Sequence, residues 1–372
     1  MKEGVLQYCL STAWGGLEMV ALETALKLRS RGIRCVTVCR PGSPLQSKLR
    51  EASLLTLGIR PGHKYFSPRL LALTRKLIRS GRFSTILIQQ MSDLWHVAPA
   101  LVGYEDIHLA AISHTFVGVL KKDLLHELLY GRLDVVIALT DLHRKNLLSH
   151  LPLRPEQISV VPNAVNSQKF CSARRSEAFR KQFLTSTDQV LIGIVSRLDR
   201  AKGLHEAVKA AHQLQLQKIA FQLVIVGKET AGEPGTQLAL TTEIENLGLQ
   251  KRVHLAGHRD DVEVAVASFD ILLMPSPAET FGRVVIEAMA SNVPVVAAAG
   301  GGVPGIIQHG INGLLFPPES IQDMAEQLKS LCQDPIQRRH IMENGLKSVH
   351  ELYDSEVVTN QLHRLLRIKS KP

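Results

Sequence analysis

Residues 271–290 read ILLMPSPAETFGRVVIEAMA, and this stretch decides the fold. Four apolar residues of strand length are stopped by a turn containing Pro275 and Pro277, and an apolar helical stretch follows directly. Runs rich in Val and Ile alternate with amphipathic helical stretches in the same way throughout the chain. This alternation is typical of βαβ units and predicts a parallel sheet.

Further strands are predicted on both sides of this stretch. The chain has 372 residues, too many for one ordinary core, and its length therefore predicts two α/β domains. The predicted strands are residues 5–10, 35–39, 85–88, 110–113, 135–138 and 158–161 in the first domain, and residues 191–195, 222–226, 253–256, 271–274 and 294–298 in the second.

A polar, basic stretch without any strand signal separates the two sets of strands. It predicts a linker at residues 167–188, between a first domain of residues 1–166 and a second of residues 189–345. The chain from Ser320 onward has apolar residues at helical spacing. Residues 346–372 are expected to form a C-terminal helix that packs back toward the first domain.

Positive charge is concentrated in the first half of the chain. The net charge is +10, and residues 1–180 carry 25 Lys and Arg against 13 Asp and Glu. Between Arg40 and Arg82, ten basic residues face one acid, Glu51. Such a cluster predicts an anionic partner. Nucleic acid is not the expected one, because an aromatic content of only 5% offers no evident stacking platform.

The latter half of the segment from Arg40 to Arg82 is also rich in leucine. It therefore predicts a basic amphipathic helix that rests on an anionic membrane surface, with a solvated basic surface as the alternative. The apolar residues of this helix are Leu70, Leu71, Leu73, Leu77 and Ile78.

The cysteines and the N-terminal sequence indicate which features are not expected in this protein. The five cysteines form no CxxC pair, and Cys35 and Cys39 share one face of a predicted strand, which indicates buried thiols rather than disulfides or zinc ligands. Neither a secretory signal nor an apolar run of membrane-spanning length is evident, so a cytoplasmic location is expected. No Asp-x-Asp pair occurs, and neither a metal nor another cofactor is expected.

Two features of the first domain fall where parallel strands end. Gly15 and Gly16 lie in the turn between the first strand and a helix predicted from about Leu17 to Arg29. Adjacent glycines at a helix N-terminus let backbone amides approach an anion, although a tight turn without a ligand explains them equally well. His114 follows the strand at residues 110–113 and is expected at the same sheet edge, where it has either a structural or a functional role.

The second domain carries two cations after its first strand. Arg197 and Lys202 follow residues 191–195, at the sheet edge where open α/β folds bind their ligands. They are placed to neutralise a diphosphate, and a solvated loop is the alternative. Gly300, Gly302 and Gly305 match the spacing of a dinucleotide fingerprint, but no helix or acidic residue follows at the required distance.

The opening stretch carries the densest set of candidate residues. If its helix begins near Phe281, the amides of residues 281–284 point at a bound phosphate or sugar. Glu287 then lies about two turns further on among apolar residues, where a carboxylate needs a partner such as a ribose diol. Glu279 is either a ligand-binding carboxylate or a helix cap, and the alternative for Glu287 is a surface acid.

Taken together, these motifs resemble those of retaining glycosyltransferases of family 4, which have the GT-B fold. The most specific is Glu-x7-Glu, present as Glu279 and Glu287 with Phe281 and Gly282 between them. The resemblance covers nearly the whole chain and implies two Rossmann-like doubly wound domains facing each other across a cleft. Its accessory motifs are Gly15-Gly16 with Glu18, Arg197 with Lys202, residues 161–165, residues 257–262 around Arg259, and residues 310–316.

The resemblance also implies roles for individual residues. Glu279 and the amides after it hold the donor sugar, Glu287 binds the ribose, and Arg197 and Lys202 stabilise the leaving diphosphate. His114 faces the transferred sugar and joins these as a catalytic residue. The expected donor site consists of Gly15, Gly16, Arg197, Lys202, Arg259, Glu279, Phe281, Gly282, Arg283, Val284 and Glu287.

The implied reaction moves a hexose-type sugar from a nucleotide-diphosphate sugar, here a UDP-sugar, to a glycan or lipid-linked acceptor of the cell envelope. Two departures from the family pattern, Gly305 in place of an acidic residue and Ala164-Val165-Asn166 in place of Gly-Val-Asp, leave donor identity and loop geometry open. A nucleotide-sugar epimerase on the same fold and a non-catalytic nucleotide-sugar-binding protein are the alternatives.

Overall fold

The computed structural model describes residues 4–63, 65–184, 186, 188–229 and 234–367. The chain divides into two compact units, of which the first comprises Met1–Asn163 with Glu356–Pro372 and the second Ala164–Ser355. Each unit is built around one sheet in which every strand pair is parallel. Two Rossmann-like α/β units are therefore present, as the sequence predicts.

The sheet of the first unit has seven strands in the order β3-β2-β1-β4-β5-β6-β7. Its strands are β1 (Gly4–Cys9), β2 (Arg34–Cys39), β3 (Leu55–Gly58), β4 (Phe83–Ile88), β5 (His108–Ile112), β6 (Val135–Ala138) and β7 (Ile158–Val160). The crossover helices are α1 (Gly16–Ser30), α2 (Pro44–Glu51), α3 (Pro68–Arg79), α4 (Leu94–Val97), α5 (Leu124–Gly131) and α6 (Asp141–His150). The order reverses at β1 and β4, so ligands are expected at the carboxyl ends of those strands.

The sheet of the second unit has six strands in the order β10-β9-β8-β11-β12-β13. They are β8 (Val190–Val195), β9 (Phe221–Val226), β10 (Val253–Gly257), β11 (Ile271–Met274), β12 (Val295–Ala298) and β13 (Leu314–Phe316). The helices are α7 (Ser167–Ser172), α8 (Glu177–Arg180), α9 (Leu204–Leu216), α10 (Thr236–Asn246), α11 (Val262–Ala267), α12 (Arg283–Ala290), α13 (Ile321–Gln333), α14 (Pro335–Ser348) and α15 (Ser355–Leu365), of which α15 from Glu356 onward belongs to the first unit. Here the order reverses between β8 and β11.

Burial on both faces explains why the strands read as continuous apolar runs. Every residue of β1, β6 and β9 is buried, as expected where helices cover both sides of a parallel sheet. All the predicted strands are present, with ends that differ by at most two residues. The sequence missed β3 and β13. The first is an edge strand whose Leu55 and Leu57 are exposed, and the second has only three residues.

The segment predicted as a linker has structure of its own in the second unit. Helix α8 places the Phe179 ring against Phe269, at 6.1 Å between centroids. Arg180 is buried beside it and pairs with Asp270 at 3.1 Å. The chain passes between the units at Asn163–Ala164 instead, a few residues before the predicted linker.

The C-terminal residues of the first unit are fixed by contacts with its sheet and helices. Glu356 pairs with Lys27 and Arg31 of α1, at 2.5 and 2.8 Å. Thr85 of β4 donates a hydrogen bond to the carbonyl of Leu366 at 2.9 Å. The predicted helix at residues 346–372 is, as far as Arg367, the end of α14, one π-helical turn (Val349–Tyr353) and α15 with a short turn after it, and its last five positions lie outside the described residues.

Helix α3 corrects the membrane prediction. It is amphipathic, but Leu70, Thr74 and Ile78 are buried, and Leu73 and Leu77 pack against the core of the first unit. The apolar face of this helix is therefore used inside the protein. No helix in the described ranges is long and apolar enough to span a bilayer.

The predicted buried thiols are confirmed for the first unit. Cys9, Cys35 and Cys39 are free and buried. Burial raises the pKa of the Cys35 thiol to about 12, outweighing the opposing hydrogen bond with Thr37. These side chains act as small apolar residues of the sheet.

Candidate active site

Two loops of the second unit meet at the carboxyl ends of β8 and β11, which are neighbours in the sheet. The first loop continues through a 3₁₀ turn (Arg200–Lys202) into α9, and the second leads through Glu279 into α12. Lys202 Nζ lies 2.7 Å from Glu279 Oε1, and both side chains are largely shielded from solvent. The structure thus brings together two predicted site residues that are 77 positions apart in sequence.

Glycines let these loops approach closely. Gly301 has a φ of +56°, and a Cβ atom there would lie 2.0 Å from the Glu279 carbonyl oxygen. The amide of Gly302 donates a hydrogen bond to that same oxygen at 2.7 Å. Gly203, after Lys202, would place a Cβ atom 2.3 Å from the Pro275 carbonyl oxygen. The backbone on both sides of the Lys202–Glu279 pair is therefore held where only glycine fits.

This packing explains the glycine run that the sequence left open. Gly300 follows β12, and a Cβ atom there would lie 1.8 Å from the Pro277 carbonyl oxygen. Together with Gly301 it supports the Glu279 loop from the next strand of the sheet. These glycines make room for a neighbouring loop and do not form a dinucleotide turn.

Helix α12 begins two residues later than predicted. Gly282 is in the left-handed conformation, with a φ of 89° and a ψ of 62°, and the helix starts at Arg283. The first-turn amides are therefore those of Arg283 and Val284, and not that of Phe281. The Phe281 side chain is buried against Tyr353, with ring centroids 6.0 Å apart. Phe281 can therefore contact a ligand only through its backbone.

Glu287 has a charged partner on its own helix. Arg283 Nε lies 3.6 Å from Glu287 Oε1, one turn away, and both side chains are mostly buried. The sequence predicts that this carboxylate needs a partner, and Arg283 provides one within the protein. A ribose diol would share Glu287 with Arg283.

Arg197 is the most accessible cation of the group. Its side chain is 57% exposed and lies 3.6 Å from Asp199. Asp199 also accepts a hydrogen bond from the Ala201 amide at 3.0 Å and so fixes the 3₁₀ turn that carries Lys202. Sequence analysis did not identify this acid.

Arg259 is held apart from the other candidates. It follows edge strand β10, two places from β8 in the sheet. The guanidinium forms two hydrogen bonds with Asp261, at 2.9 and 2.7 Å, and lies 5.0 Å from the centroid of the Phe179 ring. The hydrogen bonds with Arg259 lower the pKa of Asp261. No contact between Arg259 and the Lys202–Glu279 pair is recorded for the described part of the chain.

The glycine loop of the first unit also precedes a helix. Gly15 is the N-cap of α1 in an extended conformation, without a side-chain cap. Glu18 lies in the first turn and is only 4% exposed. Its carboxylate is the type of charge that a helix N-terminus stabilises, so it competes there with any incoming anion.

His114 belongs to a chain of hydrogen bonds that crosses the sheet of the first unit. His114 Nε2 lies 3.1 Å from Gln89 Oε1, and Gln89 Nε2 donates to Gln7 Oε1 at 3.0 Å. Gln7 Nε2 in turn donates to the Ala21 carbonyl at 2.9 Å and to Thr37 Oγ1 at 3.1 Å. Gln7, Gln89 and Thr37 are fully buried.

This chain fixes which nitrogen of His114 carries a proton. The Ala21 carbonyl can only accept, so the Gln7 amide nitrogen must face it. Gln7 therefore presents its oxygen to Gln89, and Gln89 presents its own oxygen to His114. Nε2 is consequently the protonated nitrogen in the neutral ring, and Nδ1 is the acceptor.

Two further titratable groups are buried in the first unit. Asp93 accepts a hydrogen bond from the Leu10 amide at 3.2 Å, and burial raises the pKa of its carboxyl to about 7 despite the nearby positive charge of Arg40. Burial lowers the pKa of His143 to about 4. Neither residue was singled out from the sequence, because isolated polar residues have no spacing signal. In the described ranges, no three or more His, Cys, Asp or Glu residues are grouped as metal ligands.

Comparison with known proteins places both units in one family. A model described as "Glycosyltransferase Family 4" matches residues 14–169, and one described as "Glycosyl transferases group 1" matches residues 175–348. Similar proteins include D-inositol 3-phosphate glycosyltransferase of Corynebacterium kroppenstedtii, 32% identical over 57% of this chain and 48% of that protein. N-acetyl-alpha-D-glucosaminyl L-malate synthase of Bacillus anthracis is 29% identical over 61% of this chain and 58% of that protein. The chain thus spans about half the length of these curated relatives.

A solved structure shares the fold over nearly the whole chain. HepE of Anabaena, in complex with UDP and glucose, superposes with a TM-score of 0.82 over 98% of this chain and 99% of its own, at 23% identity. At that identity the likeness establishes the fold, a GT-B arrangement of two Rossmann-like domains, and no more. With both family models matched in chain order, the predicted resemblance is confirmed: the chain belongs to glycosyltransferase family 4.

Proposed function

We propose that the chain is a retaining, metal-independent glycosyltransferase that moves a hexose-type sugar from a UDP-sugar to a glycan or lipid-linked acceptor of cell-envelope biosynthesis. The observation that carries this proposal is the contact between Lys202 and Glu279 at the carboxyl ends of β8 and β11. It places a cation and a carboxylate side by side where α/β sheets bind their ligands. A sugar diphosphate requires that combination.

The two members of the pair have different tasks. The Lys202 ammonium is a donor only and suits the diphosphate oxygens, whereas the Glu279 carboxylate is an acceptor only and suits the hydroxyl groups of the sugar. In the absence of donor they neutralise each other, which keeps both charges in place without a ligand. When the donor binds, the contact between Lys202 and Glu279 would be replaced by contacts of Lys202 with the diphosphate and of Glu279 with the sugar.

The leaving diphosphate is stabilised by positive charge from the protein. As the bond from the anomeric carbon to the diphosphate breaks, negative charge develops on the leaving oxygen, and Arg197 and Lys202 face it together with the first-turn amides of α12. These groups fill the place that a divalent metal has in other transferases. Turnover should therefore persist in EDTA.

The nucleoside end of the donor is assigned to Glu287. Its carboxylate is fixed by Arg283 and keeps acceptor capacity for a ribose diol. The UDP and glucose named for the HepE structure support a UDP-sugar as the donor. Glu287→Ala should weaken binding of any nucleotide sugar, because the diol is common to all of them.

The first unit is proposed to hold the acceptor. It carries 25 Lys and Arg against 13 Asp and Glu, a net charge of +12, while the second unit has a net charge of −2. His114 is proposed to face the transferred sugar, with Nδ1 as the acceptor of a sugar hydroxyl proton. A positive domain suits an envelope intermediate that carries phosphate groups.

The same charge favours a second candidate acceptor. Inositol 3-phosphate and L-malate, named for the two curated relatives, are small anions. A small anionic polyol or hydroxy acid would thus also suit the first unit. Transfer assays with both acceptor classes distinguish the two, because only one class should give a glycosylated product.

A thermal-shift panel of UDP-, GDP- and ADP-sugars tests the donor assignment. Stabilisation by UDP-sugars alone is expected, and no stabilisation by any of the three would count against the whole proposal. Release of an epimerised nucleotide sugar without any acceptor would favour the epimerase alternative. Binding without turnover would favour a non-catalytic protein.

A further inference from the structure

Three aromatic rings lie side by side on the first unit. We call the rings of Tyr65, Trp95 and His126 the aromatic row; the centroids of Tyr65 and Trp95 are 5.1 Å apart, and those of Trp95 and His126 are 5.5 Å apart. The rings belong to the loop between β3 and α3 and to the first turns of α4 and α5. These segments leave the carboxyl ends of β3, β4 and β5. The row is therefore built from the segments that bind ligands in α/β units.

The aromatic row is fixed at its centre and open at one end. Trp95 packs against the core of the first unit, and the ring of the buried Tyr130 lies 6.1 Å from that of His126. Tyr65, in contrast, is 55% exposed although its ring is in contact with Trp95. The row thus offers a large ring to solvent in a defined position, as ligand sites do.

A carboxylate lies at the other end of the row. Asp123 accepts hydrogen bonds from the amide and from Nδ1 of His126, at 3.2 and 2.5 Å. These bonds lower the pKa of the Asp123 carboxyl, so the group is ionised at neutral pH. Each carboxylate oxygen accepts one of the two bonds and keeps a lone pair for a further donor. Because a carboxylate can only accept, His126 Nδ1 carries a proton, and Nε2 of the neutral ring is an acceptor as well.

The charges beside the aromatic row are balanced. Lys121 and Lys122 precede Asp123, and Glu127 follows His126. These two cations and two carboxylates leave no net charge here, although the first half of the chain is basic. A neutral ligand with hydroxyl groups therefore matches this surface better than an anion does.

We propose that the aromatic row and Asp123 bind a pyranose residue of a neutral glycan. The C–H groups on the face of a pyranose ring are weakly positive and pack on the negative face of an aromatic ring. The hydroxyl groups of the same sugar donate hydrogen bonds to the Asp123 carboxylate. An apolar partner would cover that carboxylate without supplying donors. The inference rests on the proposed function in one respect: the glycan is taken to be the acceptor, in preference to a small anion.

Fluorescence of Trp95 measures binding to the row without a nucleotide sugar or turnover. The full chain with Trp14→Phe keeps Trp95 as its one tryptophan. Cellotetraose is the probe, because its glucose residues present C–H groups on both ring faces. Titration should shift the Trp95 emission to saturation, with a Kd on the order of 1 mM.

Variants of the row separate stacking from hydrogen bonding. Tyr65→Ala should weaken cellotetraose binding about tenfold, whereas Tyr65→Phe keeps the ring and should stay within about twofold of the parent. Asp123→Asn keeps the cap of α5 and should weaken binding about fivefold, because hydrogen bonds to a charged acceptor are the stronger ones. Phe66→Ala is the matched control and should have little effect, since Phe66 is 52% exposed on the same loop but is not a member of the row.

Two results would overturn the proposal: no response of Trp95 to cellotetraose, or equal weakening by Tyr65→Ala and Phe66→Ala. A response to inositol phosphate instead of cellotetraose would also overturn it and would favour the small anionic acceptor. A thermal shift of the wild-type chain with UDP-glucose keeps the two proposals apart. Stabilisation by UDP-glucose without cellotetraose binding would remove this inference alone, and the reverse result would count against the proposed function alone.

Discussion

The two sheets end in chemically different surfaces. At the carboxyl edge of the second unit, charged side chains are paired, as in Lys202–Glu279 and Arg283–Glu287. At the corresponding edge of the first unit, His114 is tied to neutral amides through Gln89 and Gln7. The same fold therefore carries paired charges at one edge, where the diphosphate is proposed to bind, and an imidazole oriented by neutral amides at the other.

The largest expected effect comes from removing the cation of the charged edge. Lys202→Ala should lower turnover by about a hundredfold or more, because a largely shielded cation that faces developing charge is lost. Lys209→Ala is the matched control, since this half-exposed lysine lies 3.9 Å from Glu243 on the outside of α9. Unchanged turnover of the Lys202 variant with a nucleotide sugar would refute the role of the pair.

The loop that carries Glu279 can be displaced without changing any charge, because Gly301 packs directly against it. Gly301→Ala should lower the free energy of unfolding by roughly 3 kcal/mol and displace the Glu279 loop, because the new Cβ atom meets a carbonyl oxygen. Gly310→Ala is the control, since Gly310 also has a positive φ but open space around it. Equal losses for the two variants, measured by chemical denaturation, would mean that backbone strain alone matters.

The stability of the first unit should depend on pH through Asp93, which lies at the carboxyl end of β1. The folded state keeps the Asp93 proton up to about pH 7, because burial raises the pKa of its carboxyl to that value, whereas the carboxyl of an unfolded chain has a pKa near 3.8. Between these two pKa values the folded state binds one proton more than the unfolded state. The free energy of unfolding therefore falls as the pH rises from 4 to 7. Asp93→Asn should become more stable relative to wild type over that range, by about 3 kcal/mol.

Tryptophan fluorescence is the right measurement for this effect. Both tryptophans, Trp14 and Trp95, belong to the first unit. His143→Gln provides the opposite control. Burial holds the pKa of His143 at about 4, so the unfolded state binds the extra proton and wild-type stability falls as the pH drops below about 6.5. A difference between wild type and Asp93→Asn that does not vary with pH would contradict the assignment.

The smallest expected effect concerns the orientation of His114. Gln89→Ala should lower turnover by about tenfold, because the ring loses the partner of its Nε2 proton. Nitrogen chemical shifts of the His114 ring should show the Nε2–H tautomer in wild type and a mixture in the variant. Finding Nδ1–H in the wild-type protein would contradict the hydrogen-bond chain.

The sequence predicted the sheet but not its internal contacts. Runs of Val and Ile located nearly every strand, because both faces of the sheets are buried. Edge strand β3 was missed because its residues are exposed. The start of α12 was misplaced because nothing in the sequence indicates that Gly282 adopts the left-handed conformation.

Candidate residues were likewise identified without their partners. Glu279 and Lys202 stood out by motif and by position, but their contact depends on β8 and β11 being neighbours, which only the topology supplies. Gln7 and Gln89 carried no periodic signal. A glutamine inside the apolar run of β1 was nevertheless anomalous, and such a buried polar residue requires a hydrogen-bond partner.

Calorimetric titration with UDP and with UDP-glucose tests the central claim, that Lys202 holds the diphosphate and Glu279 the sugar. Lys202→Ala should weaken binding of both ligands about tenfold or more. Glu279→Gln should leave the affinity for UDP unchanged or higher, because Lys202 is released from its partner, and should weaken UDP-glucose binding alone. Equal affinities of Glu279→Gln and wild type for UDP-glucose, or equal losses for both ligands, would contradict the account.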